Sequence, residues 1–266
     1  MKLQGKVAVV TGAAGGLGRA YVNRLASLGA DIGAIDLNLD GSANGYQASA
    51  QKIADEVQSK GRRFVSFQGD LGQRNTAFEA IDAIVRAFGR IDVLVNNAGG
   101  AITPVEHSSP SKSSQEDNSK LFDANLWSTV FCCQAAVPIM KSQASGSIIN
   151  TSSVAAHSVA RGGRLAMYGA AKAAVTHYTR NLAAELGPHG IRVNCVAPGI
   201  IMTPRVKAQS QARGIGVESE LKGIPMRRFG EAEDCAGVIE FLATDLSRYV
   251  TGECISVSGG ALLTPH

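Results

Sequence analysis

The sequence predicts a doubly wound α/β fold: a mostly parallel sheet of seven strands, covered by helices on both faces in three αβα layers. Three observations predict it. Apolar runs rich in β-branched residues recur at 7–10, 32–35, 64–67, 91–95, 147–150, 191–196 and 254–257, and strands buried on both faces read this way. Helical patterns fill the intervals, among them 18–27, 48–59, 76–88, 168–186 and 232–243, several closed by glycine at Gly29, Gly61, Gly89 and Gly187. Their strict alternation implies right-handed βαβ crossovers, with ligands at the carboxyl ends of the strands.

Composition sets the frame for these elements. The chain has 266 residues, 45% hydrophobic and 18% charged, enough apolar material for one sizeable core and too much for a disordered tail. No repeat or linker divides it, so residues 1–266 are read as a single domain. One Trp and 5% aromatic residues leave little stacking surface, which argues against nucleic acid as a partner. The net charge of +4 comes without a long run of one sign. Nowhere do 18 apolar residues follow one another, and the start reads directly into a strand, so no membrane span or export signal is expected. The five cysteines contain no C-x-x-C pair and are odd in number, which suits a reducing, cytoplasmic setting. No metal site is expected.

The first strand runs into Thr11-Gly12-Ala13-Ala14-Gly15-Gly16-Leu17-Gly18-Arg19, a glycine-rich turn opening a helix. Glycines allow a tight turn and close backbone approach, while the helix start offers unpaired N–H groups and a positive dipole end to a pyrophosphate. Taken alone, the string also reads as a flexible surface turn. The second strand ends at Asp36, 18 residues after Gly18, where a carboxylate accepts hydrogen bonds from both ribose hydroxyls of an adenosine and repels a 2′-phosphate. Leu37 follows it rather than Arg, and Gly15 stands where a basic residue would help bind that phosphate, so NAD is favoured over NADP. Asp70-Leu71 closes the third strand, either at the adenine edge or as a plain turn. Three stretches read as loops: 38–47, the Ser-rich 108–119, and 204–225.

Tyr168 and Lys172, four apart on one helix, share a face. An ammonium beside a phenol favours phenolate, bringing a group that ordinarily titrates near 10 within range of acid–base work at neutral pH. Upstream, Asn150-Thr151-Ser152-Ser153 ends a strand, where a hydroxyl can hold a substrate oxygen near the phenol; as an alternative, these serines are loop caps.

These segments form an ordered set with Thr11-Gly12-x-x-x-Gly16-x-Gly18, Asp70-Leu71, Asn96-Asn97-Ala98-Gly99, Asn125, Pro198-Gly199 with Thr203, and Ser258-Gly259-Gly260. On them the chain resembles the short-chain dehydrogenase/reductase family along nearly its whole length. The resemblance implies a single NAD-binding Rossmann domain that interconverts a secondary alcohol and a ketone. It implies Tyr168 as acid or base, Lys172 at the nicotinamide ribose and lowering the phenol's pKa, Ser153 steadying the reacting oxygen, and Asn125 holding a water that links Lys172 to solvent. Ser153 is preferred to Ser152 for its family-like place before Val154-Ala155. For the cofactor it implies Gly12, Gly15, Gly16, Leu17 and Gly18 at the phosphates and Asp36 with Leu37 at the ribose. Asp70 and Leu71 are then set at the adenine, Asn97, Ala98 and Gly99 along the adenosine, and Pro198, Gly199, Ile201 and Thr203 at the nicotinamide.

Departures from the family pattern are a connection from Ser153 to Tyr168 about two residues longer than usual, an insertion of roughly ten residues after Asp36, and Ser258 where Asp is common. Expected substrate walls are Ala101, Ile102, Val154, Ala155, Leu165, Met167, Ile200 and Met202, suited to a hydrophobic ketone or alcohol. Arg161 and Arg164 read either as grips for an anionic group or as solvated surface residues, and 204–225 as a lid over the substrate. An NADPH-dependent 3-oxoacyl reductase and a non-catalytic NAD-binding scaffold are the alternatives. The family resemblance also implies a homotetramer or dimer formed through long helices such as 121–140 and 168–186.

Overall fold

The computed structural model describes residues 2–40, 49–213 and 216–263. Seven strands, β1 (Val7–Thr11), β2 (Asp31–Asp36), β3 (Phe64–Gln68), β4 (Val93–Asn96), β5 (Gly146–Thr151), β6 (Ile191–Pro198) and β7 (Cys254–Val257), form one parallel sheet. Their order is β3-β2-β1-β4-β5-β6-β7. The expected architecture is therefore present. Every residue of β1 and β4 is buried because both faces of these strands meet helices. Along β1 the side chains alternate: Ala8 and Val10 enter one core, Val7 and Val9 the other.

The first core lies under α1 (Gly16–Ser27), α2 (Ala50–Gln58) and α9 (Ala232–Ala243), where Tyr21, Leu25, Ile53 and Ile239 pack on the sheet. The second lies under α3 (Arg74–Phe88), α5 (Ser128–Gln143) and α6 (Ala166–Leu186), with Ile81, Ile84, Met140 and Leu186. Gly89 ends α3 in the left-handed conformation, as its place in the sequence requires. Gly187 does not do so for α6. Its φ is −51°, the chain tightens through a 3₁₀ turn containing Pro188, and the left-handed stop falls at Gly190, φ 72°.

Two of the three expected loops contain helices. Residues 108–119 include the start of α4 (Gln115–Phe122), capped by Ser114, whose Oγ accepts the Asp117 N–H at 3.0 Å. Residues 204–225 contain α7 (Pro204–Arg213) and α8 (Glu218–Lys222). Both segments are too polar to show an apolar helical stripe, so propensity and capping set them rather than periodicity. Residues 41–48, most of the expected insertion after Asp36, lie outside the described residues. Between α4 and α5 the rod widens into a π turn, Asp123–Trp127, which carries the buried Asn125. Among the described residues, no helix is long and apolar enough to cross a membrane.

Candidate active site

Strand order reverses between β1 and β4, so the connections leaving these strands diverge and open a crevice at the carboxyl edge of the sheet. The two sides are stitched together there. Thr11 Oγ1 accepts the N–H groups of Asn97 (2.9 Å) and Ala98 (3.0 Å), and Asn97 Nδ2 donates to the carbonyls of Thr11 and Gly12. Glycine is required at two positions around the turn above them. Gly12 has φ 64°, and a Cβ on Gly18 would lie 1.9 Å from Gly12 O. Helix α1 starts behind Gly15 with no side-chain cap and no acidic residue in its first turn, leaving its opening N–H groups to a ligand anion.

Gly18→Ala is expected to lower stability by about 1–3 kcal/mol through this overlap. Gly237→Ala on α9, where a Cβ meets nothing within 4 Å, serves as the contrasting substitution. Thermal unfolding checks the pair: Tm should fall by several degrees for the first and hold or rise for the second.

Asp36 closes β2 beside this turn. One carboxylate oxygen accepts Ala14 N–H at 2.8 Å and the other accepts Asn38 N–H at 3.2 Å. A carboxylate offers about four acceptor directions, so two remain for a diol. Leu37 beside it is exposed. Asp70 braces its own turn through Gly72 N–H at 2.9 Å. Leu71 and Ile201 put their side chains into the cores, and Ile201 fills the space over Gly230, so neither offers more than backbone to a ligand. Gly199 packs against Ser258, leaving no room for a Cβ, and Thr203 Oγ1 accepts Val206 N–H at 3.3 Å at the start of α7.

The second cluster stands at the end of β5. Asn96 and Asn150, register partners on β4 and β5, join at 2.9 Å, and Asn150 Nδ2 donates to Thr179 Oγ1 at 2.9 Å, fixing α6 against the sheet. Ser152 reinforces this, its Oγ donating to Lys172 O at 3.1 Å and lying 2.7 Å from Thr176 Oγ1. That hydroxyl is committed to structure. Ser153 Oγ accepts only Ala155 N–H, at 3.2 Å, among the described residues, so its proton remains to be given. A Cβ on Gly169 would lie 2.5 Å from Ala155 O, so the turn after Ser153 presses against the helix just past Tyr168.

Lys172 is buried, with Nζ donating to Thr151 O at 2.7 Å and standing 6.0 Å from the centre of the Tyr168 ring. Burial pulls its amine down to about 7; Cys195 opposes that fall and the Arg205 guanidinium adds to it. Asn125 uses both ends of its amide: Oδ1 accepts Gly100 N–H at 2.9 Å, and Nδ2 donates to Gly100 O at 3.0 Å and Leu121 O at 2.9 Å. Its side chain holds the loop after β4, with both Nδ2 protons used and one lone pair of Oδ1 remaining.

A cavity opens beside Tyr168. Three of the expected wall residues, Ala101, Leu165 and Met167, line it, whereas Ile102, Val154, Ala155, Ile200 and Met202 do not. Leu165 holds a left-handed φ of 63° at the start of α6, a strained conformation for a branched side chain at a site wall. Sequence reasoning missed the polar part of the wall, Thr103, His107, Ser108, Ser113 and Asn118, which lie in or shortly before the Ser-rich stretch 108–119 read as a loop. The available signal was the density of polar residues there. Arg205 was missed too: its guanidinium covers Gly100, with Nη1 3.5 Å from Gly99 O. Arg164 is not in the cavity wall, and the Arg161 side chain lies outside the described residues.

Comparison with known proteins bears on this geometry. The family model described as Enoyl-(Acyl carrier protein) reductase matches residues 12–261. Cyclohexanol dehydrogenase from Rhodococcus sp. (strain TK6) is 44% identical over 265 residues, covering 98% of this chain and 97% of that protein. A 3-oxoacyl-[acyl-carrier-protein] reductase from Thermotoga maritima is 39% identical over 267 residues, covering 99% and 100%. Among solved structures, carveol dehydrogenase from Mycobacterium avium in complex with NAD superposes with a TM-score of 0.87 at 33% identity, covering 99% of each chain.

Proposed function

We propose that this chain, which belongs to the short-chain dehydrogenase/reductase family and is an oxidoreductase interconverting a secondary alcohol and a ketone, uses NAD and takes a small, mostly apolar cyclic alcohol. The observation that carries this reading is the pairing of Tyr168 with the buried Lys172 amine at the sheet edge that also bears the glycine turn and Asp36. The cyclic alcohol is suggested by the cyclohexanol dehydrogenase relative together with the apolar Ala101, Leu121, Leu165 and Met167 around Tyr168.

The residues present fit a dinucleotide: an uncapped helix start, a turn that Gly12 and Gly18 keep tight, and a carboxylate with lone pairs to spare. Gly12, Gly15, Gly16, Leu17 and Gly18 would hold its pyrophosphate, with Asp36 and Leu37 at the adenosine ribose. Asp70 and the Leu71 backbone would border the adenine, Asn97, Ala98 and Gly99 the adenosine, and Pro198, Gly199, Ile201 and Thr203 the nicotinamide. When bound, the nicotinamide takes up hydride from the alcohol carbon. Tyr168 removes the hydroxyl proton as the carbon gives up hydride. Ser153 donates its hydroxyl proton to the substrate oxygen and orients it. Lys172 supports the deprotonated phenol by charge and holds the nearby ribose. Asn125, in the π turn, would hold the water leading from Lys172 to solvent through one of its carbonyl oxygens. Helix α7 and the segment after it, about 204–225, form the lid over the substrate.

Initial rates of NAD+ and NADP+ reduction with cyclohexanol, other secondary alcohols and hydroxyacyl thioesters test the proposal. The expected outcome is turnover of cyclohexanol with NAD+. Turnover confined to NADPH and acyl thioesters would favour the second reading, a 3-oxoacyl reductase, which the Thermotoga maritima relative supports. For the cofactor, Asp36→Ala combined with Leu37→Arg is expected to shift the kcat/KM ratio toward NADP by about ten- to a hundredfold, the worth of charged hydrogen bonds gained and lost. A parent enzyme that already prefers NADPH would contradict the role given to Asp36. Assembly is proposed as a homotetramer through α4, α5 and α6; the exposed Trp127, stacked at 5.6 Å on Phe131, is the surface that supports it.

A further inference from the structure

The polar wall of the cavity beside Tyr168 includes a buried acceptor without a donor. Asn118 on α4 donates its Nδ2 to Ser113 Oγ at 3.3 Å, while its Oδ1 is fully enclosed and finds no partner among the described residues. A buried amide oxygen without a donor is costly, and native structures keep few of them. His107 lines the same cavity, its Nδ1 3.1 Å from Asp117 Oδ2. That carboxylate also receives the Ser114 hydroxyl at 2.9 Å. A carboxylate only accepts, so the proton between ring and acid rides on Nδ1. Asn118 Oδ1 thus calls for a donor. Ala101, Leu121, Leu165 and Met167 supply the apolar part of the wall.

We infer that the substrate carries a second hydroxyl, which does not react and which donates a hydrogen bond to Asn118 Oδ1 while the first faces Tyr168. The inference rests on the proposed role of Tyr168 and adds a substrate class to it: a hydroxylated cyclic alcohol rather than a monofunctional one. A second hydroxyl supplies the proton that Asn118 Oδ1 lacks. An ether or a second ketone has none to give. The Ser-rich stretch ahead of α4 then has a purpose, since Ser113 fixes the Asn118 amide and Ser114 fixes the acid that orients His107.

The test compares initial rates with NAD+ for cyclohexanol and the isomeric cyclohexanediols in the parent protein, Asn118→Leu and Asn118→Ala. In the parent, at least one diol is expected to exceed cyclohexanol in kcat/KM by about tenfold or more, because the alcohol lacking the group leaves a buried acceptor unpaired. Asn118→Leu should collapse that ratio toward one, chiefly through KM for the diol. Asn118→Ala, which opens space instead of filling it, should lower it in the same direction. Equal kcat/KM for diol and cyclohexanol in the parent, or a ratio untouched by both substitutions, overturns the inference. Calorimetric titration with the diols separates this result from the assignment of activity. Diol binding that Asn118→Leu removes supports the polar wall even if neither cofactor gives turnover, in which case the proposed reaction is what fails. Absence of diol binding overturns the wall itself.

Discussion

Tyr168→Phe is expected to lower kcat by about a hundredfold to ten-thousandfold, the range that a positioned acid–base group contributes. Cofactor affinity should stay within about twofold, since one oxygen is removed and the ring keeps its place at the cavity wall beside Leu165 and Met167. Steady-state kinetics and a fluorescence titration with NADH measure the two quantities separately. A variant with near-parental turnover would reject the phenol as the proton-transferring group, and a variant that loses NADH binding would place Tyr168 in cofactor binding instead. Ser153→Ala provides a graded comparison, because the substrate oxygen then loses a donor while the phenol still takes the proton.

Lys172→Met should have opposite effects on activity and on stability. Turnover is expected to fall by about a hundredfold or more, since the phenol loses the neighbouring charge that favours its deprotonated form. The cofactor-free protein should become more stable at low pH. The Lys172 amine is lowered from 10.5 to about 7 by burial, so between those values the unfolded chain holds more protons than the folded one and stability rises with pH. Below pH 7 the full penalty of a buried charge applies, on the order of several kcal/mol. Methionine removes it. Near pH 10 the penalty has largely gone, and the variant is left only with the loss of the bond to Thr151 O. Unfolding free energies at about pH 6 and about pH 10 therefore should favour Lys172→Met at the first and the parent at the second. Equal differences at both values would mean that the amine is not desolvated in solution.

The sheet was legible because each of its strands carries a nearly continuous apolar run, and the helices under it because α1, α3, α6 and α9 keep an apolar stripe. Helices α4, α7 and α8 were not, since their residues are mostly polar and their ends are set by Ser114, Pro204 and local turns. At the site, the glycine turn, Asp36 and the Tyr168–Lys172 spacing stand out because each is a short-range pattern with a direct physical consequence. The choice between Ser152 and Ser153 rested on resemblance alone. The fold supplies the physical distinction by tying up the Ser152 hydroxyl between Lys172 O and Thr176.

By itself the sequence determined the layered sheet, the phosphate-type turn, the carboxylate at the end of β2 and the placing of phenol and amine on one helical face. These depend on residues within a few positions of one another, where backbone geometry and periodicity act. Only the tertiary structure decided that the Lys172 amine is dry enough to titrate near neutrality and that Arg205 approaches it. It alone decided that the Asn125 amide is tied to Gly100 and that Asn118 and His107 share a cavity with Tyr168. Burial and unpaired hydrogen-bonding groups arise from contacts between segments far apart in the chain, and no local pattern encodes which segments will meet.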